Sequence, residues 1–309
     1  MRWHLLGCMW LCGAACAPQV VKAIDDPATS AAGGGQHGDT GGTSSGGAAD
    51  RPDADLPDAN RPDADPPDAD HSDAGGAAPE PTLRGDALIH RYSFSGTGSV
   101  VLDEKGAAHG AVINAQLSGK GAVVLDGAAA LPEYVDLPNQ LISGLEDATF
   151  EVWLTWKGGE GWQRIIDFGD DTSHQEDARS FGGSYLFLSP HGSGNFLRVV
   201  YRAPDVDEIK IDVTPGLPAG VARYVAIVFD DTHDEMRVYV DGVLSGSVAV
   251  PGKLSQIHDV NDWLGRSQFA VDPALSGSID ELRIYDQALS SAEIEKSMQS
   301  GPDAVFSNP

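Results

Sequence analysis

From residue 87 onward the chain breaks into short runs of alternating apolar and polar residues, each closed by Gly, Pro, Asp or Asn. Strand side chains point alternately to two faces, so this texture predicts an all-β domain. The runs cover residues 88–94, 122–125, 134–137, 149–156, 164–168, 184–188, 196–201, 209–213, 224–229, 236–240, 244–250, 263–265 and 278–285. In the fourth, Phe150, Val152, Leu154 and Trp156 share one face and Glu151, Trp153 and Thr155 the other, which predicts a central strand covered on both sides. Asp241-Gly242, between two such runs, predicts a tight hairpin whose two turn residues take positive φ. Ser290 and Glu293 have capping-box spacing and open one short helix through Met298. This many strands with one terminal helix implies two packed antiparallel sheets.

All three cysteines, Cys8, Cys12 and Cys16, fall in the first sixteen residues, so the strand-rich part forms no internal disulfide and holds no Cys-ligated metal. Its core must stabilise it, and a domain of about 200 residues buries roughly 70% of its unfolded surface. Residues 1–15 carry Arg2, then the apolar Leu5, Leu6, Met9, Trp10 and Leu11, then Gly13-Ala14-Ala15, the order of a secretion signal. The apolar stretch is shorter than the about 20 residues a spanning helix needs. Cys16 directly after Gly-Ala-Ala resembles the lipobox of bacterial lipoproteins, with Gly13 where that family prefers Leu. The resemblance implies acylation of Cys16, membrane attachment only through that anchor, and an exported protein of the cell envelope. Residues 25–84 have almost no aromatic or branched apolar residue, and 16–84 is expected to be a disordered linker. Its centre repeats every five residues from Pro52, Pro57, Pro62 and Pro67, and proline together with mutually repelling aspartates extends such a chain. The repeats lack the glycine turn and distal Glu of an EF-hand. The formal net charge of −26 and the absence of any Lys/Arg cluster exclude nucleic acid as a partner.

Residues 85–303 resemble the LamG-like jelly rolls of the concanavalin A-like lectin/glucanase group, with 304–309 as a tail. The motifs, in order, are His90-Arg-Tyr-Ser-Phe94, His109-Gly110, Thr149-Phe-Glu-Val-Trp153 and Arg164-Ile-Ile-Asp-Phe-Gly169. They continue with Val238-Tyr-Val-Asp-Gly242, Leu264-Gly-Arg-Ser267, Gly277 through Tyr285, Ala288-Leu-Ser290 and Glu293-Ile294. The resemblance implies a two-sheet antiparallel jelly-roll β-sandwich with a short C-terminal helix, and it says less about activity.

Enzymes of that wider group carry alternating carboxylates on one strand. Here Glu151 stands alone, and Asp280 and Glu281 are adjacent, so a flat strand sends them to opposite faces. No catalytic residue is assigned. Asp167-Phe168-Gly169 lacks the glycine-rich loop and lysine of a kinase and is expected to end a strand. The resemblance implies a structural calcium near the first loop and last strand, where Asp103 and Asp280 are the candidate ligands. Trp162, Tyr185, Tyr201 and Trp263 are the candidates for stacking on sugar rings, and Trp162, after Gly158, Gly159 and Gly161, is expected to be the exposed one. The polar loop 170–183 is long for a sandwich and is expected to rim a ligand site. The expected function is a non-catalytic binding or adhesion module for a glycan or an envelope protein. The alternatives are an envelope protein without a discrete ligand and a polysaccharide hydrolase.

Overall fold

The computed structural model describes residues 83–304. The leader, Cys16, the linker up to residue 82 and the tail from 305 lie outside them. In chain order the strands are β1 (Leu88–Tyr92), β2 (Thr97–Gly98), β3 (Val100–Val101), β4 (Gly110–Ile113), β5 (Leu117–Ser118) and β6 (Val123–Asp126). Next come β7 (Tyr134–Leu137), β8 (Ala148–Trp156), β9 (Ile166–Asp171), β10 (Gly182–Ser189), β11 (Leu197–Ala203) and β12 (Val206–Val213). The last are β13 (Ala222–Asp230), β14 (Glu235–Val240), β15 (Val243–Ala249), β16 (Asn261–Leu264) and β17 (Ser276–Tyr285), followed by helix α1 (Ser291–Ser300).

One sheet has the order β1-β17-β8-β13-β14-β15, with β6 also paired to β17. The other runs β12-β11-β10-β9-β16-β7-β4-β3, and a small ribbon joins β2 to β5. The strands of both sheets pair antiparallel, and the expected sandwich is what forms. Alternation places Phe150, Val152, Leu154 and Trp156 of β8 in the core between the sheets, against Phe168, Leu186, Leu188 and Leu264 from the opposite layer. Burying each such side chain contributes about 1.5–3 kcal/mol. Asp241 and Gly242 close the β14–β15 hairpin at φ 50° and 77°, as their sequence requires.

The outer face of β8 is buried too, under α1. Trp153, Tyr224, Tyr239, Tyr285 and Ile294 form a second apolar cluster there. Within it Glu151, wholly buried, accepts hydrogen bonds from the hydroxyls of Tyr224 (2.7 Å), Tyr285 (2.8 Å) and Ser297 (2.7 Å). Arg283 lies 3.7 Å from Glu151, pairs with Glu281 at 2.7 Å and donates to the carbonyls of Gly301 and Pro302. One polar network thus fastens the last turn of α1 to the sheet. The Ser290–Glu293 capping box starts the helix as predicted.

Two expectations of detail change. The triplet 167–169 does not end β9, which continues to Asp171, and Gly169 (φ 151°) sits so close to the Ser184 carbonyl that any Cβ would collide with it. The ladder with β10 then shifts register between Gly182 and Tyr185. Asp280 likewise falls where the β17–β8 register slips, between Ile279 and Glu281.

Candidate ligand-binding face

The eight-stranded sheet turns its second face outward. There Tyr185, Phe187 and Val200 form a small apolar cluster with Phe269 packed against it. Beside them a pocket of about 220 Å³ is lined by Trp162, Arg164, Phe187, Arg198, Glu208 and others.

The loop after β8 sets Trp162. Gln163 is buried and ties the loop down: its side-chain carbonyl accepts from Trp156 Nε1 (3.0 Å) and the Ser276 amide (2.9 Å), and its amide donates to the carbonyls of Gly158 and Glu160. Trp162 is then held at φ 70°, a costly conformation for a bulky residue, with its amide donating to the His191 carbonyl. Its ring meets Phe196 edge-on at 6.1 Å, and the Arg198 guanidinium lies 5.1 Å from its centroid. Two hydrogen bonds to Asp212, at 2.6 and 2.7 Å, keep that guanidinium in place.

Arg164 forms the floor. It is 2% exposed, stacks 3.9 Å over the Phe187 ring and donates to Asp272 (2.7 Å) and the Trp162 carbonyl (2.6 Å). Beneath it Asp167 is wholly buried, with one carboxylate oxygen 3.3 Å from Arg164 Nε. Burial pushes the Asp167 carboxyl up to about 7, while Arg164 pulls it the other way. Tyr185 donates to Glu208 at 3.1 Å, and burial pushes its hydroxyl up to about 12. Flat apolar surfaces thus alternate with fixed hydrogen-bonding groups. Of the carboxylates here, Asp167 is wholly buried, Asp272 accepts from Arg164 and Ser267, and Glu208 accepts from Tyr185.

Trp162, half-buried, is the one proposed stacking residue that lines this pocket. The expectation for the other three is corrected by their burial. Tyr185 points to the outer face but is 1% exposed under its neighbours, and only its hydroxyl reaches Glu208. Trp263 is covered by the Arg266 guanidinium at 3.9 Å and donates to Asp136. Tyr201 points inward, into the core, and donates to the Lys253 carbonyl. The rim loop, residues 172–181 between β9 and β10, ends at Phe181, which is 72% exposed.

Asp103 does not suit calcium. One of its oxygens accepts from the amides of Arg91 (3.0 Å), Lys105 (3.1 Å) and Gly106 (2.9 Å), the other from His90 Nδ1 (2.7 Å) and the Ala108 amide (3.1 Å). Five donors fill the lone pairs a cation would need and turn their positive ends toward it. Burial pushes this carboxyl up, yet the donors outweigh it and its pKa lies below the ordinary value. Asp103 closes its loop as an anion. Among the described residues, neither it nor Asp280 belongs to a group of three ligand atoms that could share an ion. Asp103→Ala is expected to cost about 2–3 kcal/mol in urea unfolding, with added calcium leaving the wild-type midpoint unmoved. A calcium-dependent rise in that midpoint, lost in the variant, would show instead that Asp103 holds an ion.

A family model described as the concanavalin A-like lectin/glucanases superfamily matches residues 131–295, more than half of the chain. The chain belongs to that superfamily. No curated protein is a significant sequence match. Among solved structures, the binding domain of Botulinum neurotoxin DC, in complex with rat synaptotagmin II, is similar at 14% identity and TM-score 0.52, covering 70% of this chain and 52% of that one. Domain 4 of an extracellular arabinanase from Geobacillus stearothermophilus, in complex with arabinotriose, is similar at 19% identity and TM-score 0.49, over 68% of this chain and 97% of that one. A carbohydrate-binding domain of a Ruminococcus gnavus sialidase, bound to sialyllactose, is similar at 18% identity and TM-score 0.42, over 49% and 82%. At 14% identity the likeness to the toxin domain is one of fold alone.

Proposed function

We propose that the domain is a non-catalytic binding module that recognises a glycan through the pocket at Trp162. The supporting observation is the pairing of Trp162 and Arg198 on one wall with Phe187 and Arg164 on the floor, and Glu208 and Asp272 beside them. A sugar ring has apolar faces bounded by hydroxyls, and this pocket offers rings for the faces and charged groups for the hydroxyls. Membership of a superfamily named for lectins and glucanases agrees with a sugar ligand, and the engaged carboxylates favour the lectin side. The leader and Cys16 support display at the cell envelope on an acylated tether.

The test is a glycan array with the full chain, followed by calorimetry on the ligands found. An aromatic contact is worth about 0.5–1.5 kcal/mol beyond its area burial. With that area included, Trp162→Ala is expected to weaken binding at least about tenfold. Saturable binding that Trp162→Ala leaves intact, or an array that stays silent, would remove the support for this reading.

A further inference from the structure

A second site lies at the rim loop, apart from the Trp162 pocket. We infer that Asp170, His174 and His258 form a site for a zinc-class divalent metal ion, with an open coordination position facing a pocket beside Ser184. The three residues place one ligand atom each within 4.8 Å of one another. Asp170 is wholly buried at the end of β9. One of its oxygens is fixed by the Ser184 amide (2.7 Å) and hydroxyl (2.9 Å), and that hydroxyl is oriented by the His258 amide (2.9 Å). The other oxygen meets both imidazoles: His258 Nδ1 lies 3.0 Å away, and His174 Nδ1 makes a closer contact.

Two features make this more than a hydrogen-bonded trio. The carboxylate is rigid while the imidazoles, 63% and 54% exposed, have room to move outward. An ion about 2.0–2.2 Å from each ligand atom needs only that outward shift to fit between them. Their rings already stand nearly perpendicular, at 78° with centroids 5.7 Å apart, so the two Nδ1 atoms converge from different directions. Next to them opens a pocket of about 420 Å³ lined by His174, Gly183, Ser184, Pro204 and His258. Three protein ligands with space for a fourth is the arrangement of an exchangeable zinc site.

The donor set selects the metal. Two imidazole nitrogens and one carboxylate oxygen suit zinc, cobalt, nickel or copper, whereas calcium requires six to eight oxygens. Binding needs the Nδ1 lone pairs, so a neutral imidazole moves its proton from Nδ1 to Nε2, and a charged one releases a proton to solvent. The hydrogen bonds of Ser184 to the far oxygen of Asp170 hold the carboxylate in the coordinating orientation, as supporting groups around metal ligands do.

Calorimetry with ZnCl2 and visible spectra with CoCl2, on the full chain stripped of metal, test the site. One ion per chain is expected, with cobalt giving the intense absorption of a tetrahedral centre. His174→Ala and His258→Ala should each weaken zinc binding at least about tenfold and the double variant should abolish it. His233→Ala, which removes an exposed histidine paired with Asp230, should leave binding unchanged. Both ligand variants alter exposed side chains, so circular dichroism is expected to show them folded. Absence of stoichiometric zinc binding in the wild type, or binding that survives in the double variant, would overturn the proposal.

Discussion

Glu151→Ala is expected to lower the unfolding free energy by about 3–5 kcal/mol, the range for breaking a buried ion pair from one side. The substitution deletes the acceptor shared by the hydroxyls of Tyr224, Tyr285 and Ser297, and it leaves Arg283, still paired with Glu281, beside a cavity. Burial pushes the Glu151 carboxyl above its ordinary value, with Arg283 and the hydroxyls pulling it back. Glu151→Gln keeps the volume and much of the hydrogen bonding, so about 1 kcal/mol is expected from it. Because Arg283 and Ser297 also secure α1, the alanine variant should expose the helix to limited proteolysis before the sandwich unfolds. Urea unfolding and a protease time course measure both effects. A loss below about 1 kcal/mol with α1 still protected would show that the network does not hold the helix. The expected loss would mark Glu151, wholly buried beneath α1, as a carboxylate that holds the fold rather than one that faces a cleft.

Much of the architecture was legible in the chain before the structure. Wherever an alternating run reached four residues or more, a strand followed, because burial of one face fixes both register and direction. The β8 pattern and the Asp241-Gly242 turn carried their own geometry. Four strands escaped notice: Gly110–Ile113, whose Gly-Ala-Val-Ile run does not alternate, and Thr97–Gly98, Val100–Val101 and Leu117–Ser118, where two residues have no period to detect. The candidate site was legible only in part. Trp162 stood out through the glycines before it, which permit the loop that Gln163 then pins. Trp263 and Tyr185 were legible as aromatics on strands, but not what covers them: Arg266 lies over Trp263 and Phe269 beside Tyr185. Asp170 and His258 are 88 positions apart and meet only because β9 pairs with β16. No local spacing announces such a pair. The length and polarity of the loop that carries His174 were the only sequence signals near it.

Asp167→Asn is expected to flatten the fall in stability between about pH 4 and pH 7. The Asp167 carboxyl stands at about 7 in the folded chain because it is buried beneath Arg164, and at about 3.9 when unfolded. Between those values the unfolded state has lost a proton that the native state keeps. Folding stability contributed by this group is therefore complete below about pH 4 and is lost as pH rises through 7. At 1.36 kcal/mol per pH unit the whole span amounts to at most about 4 kcal/mol, and the nearby positive charge of Arg164 already limits it. Asp262, on the neighbouring strand β16, is shifted in the same direction by burial and by Asp259, so the wild type should lose stability toward neutral pH from two places. Asparagine at 167 removes one of them. Arg164 keeps Asp272 and the Trp162 carbonyl, and the Gln268 amide keeps an acceptor. The variant should then match the wild type at pH 4 and exceed it at pH 8, by urea unfolding at each pH. If the Trp162 pocket binds a glycan as proposed, the affinity of the variant at neutral pH should change less than twofold, since Asp167 does not line that pocket. Parallel stability curves for the two proteins would mean that Asp167 is already ionised in the fold, as a full partner of Arg164. In that case asparagine would weaken the floor of the pocket, and ligand affinity would fall along with stability.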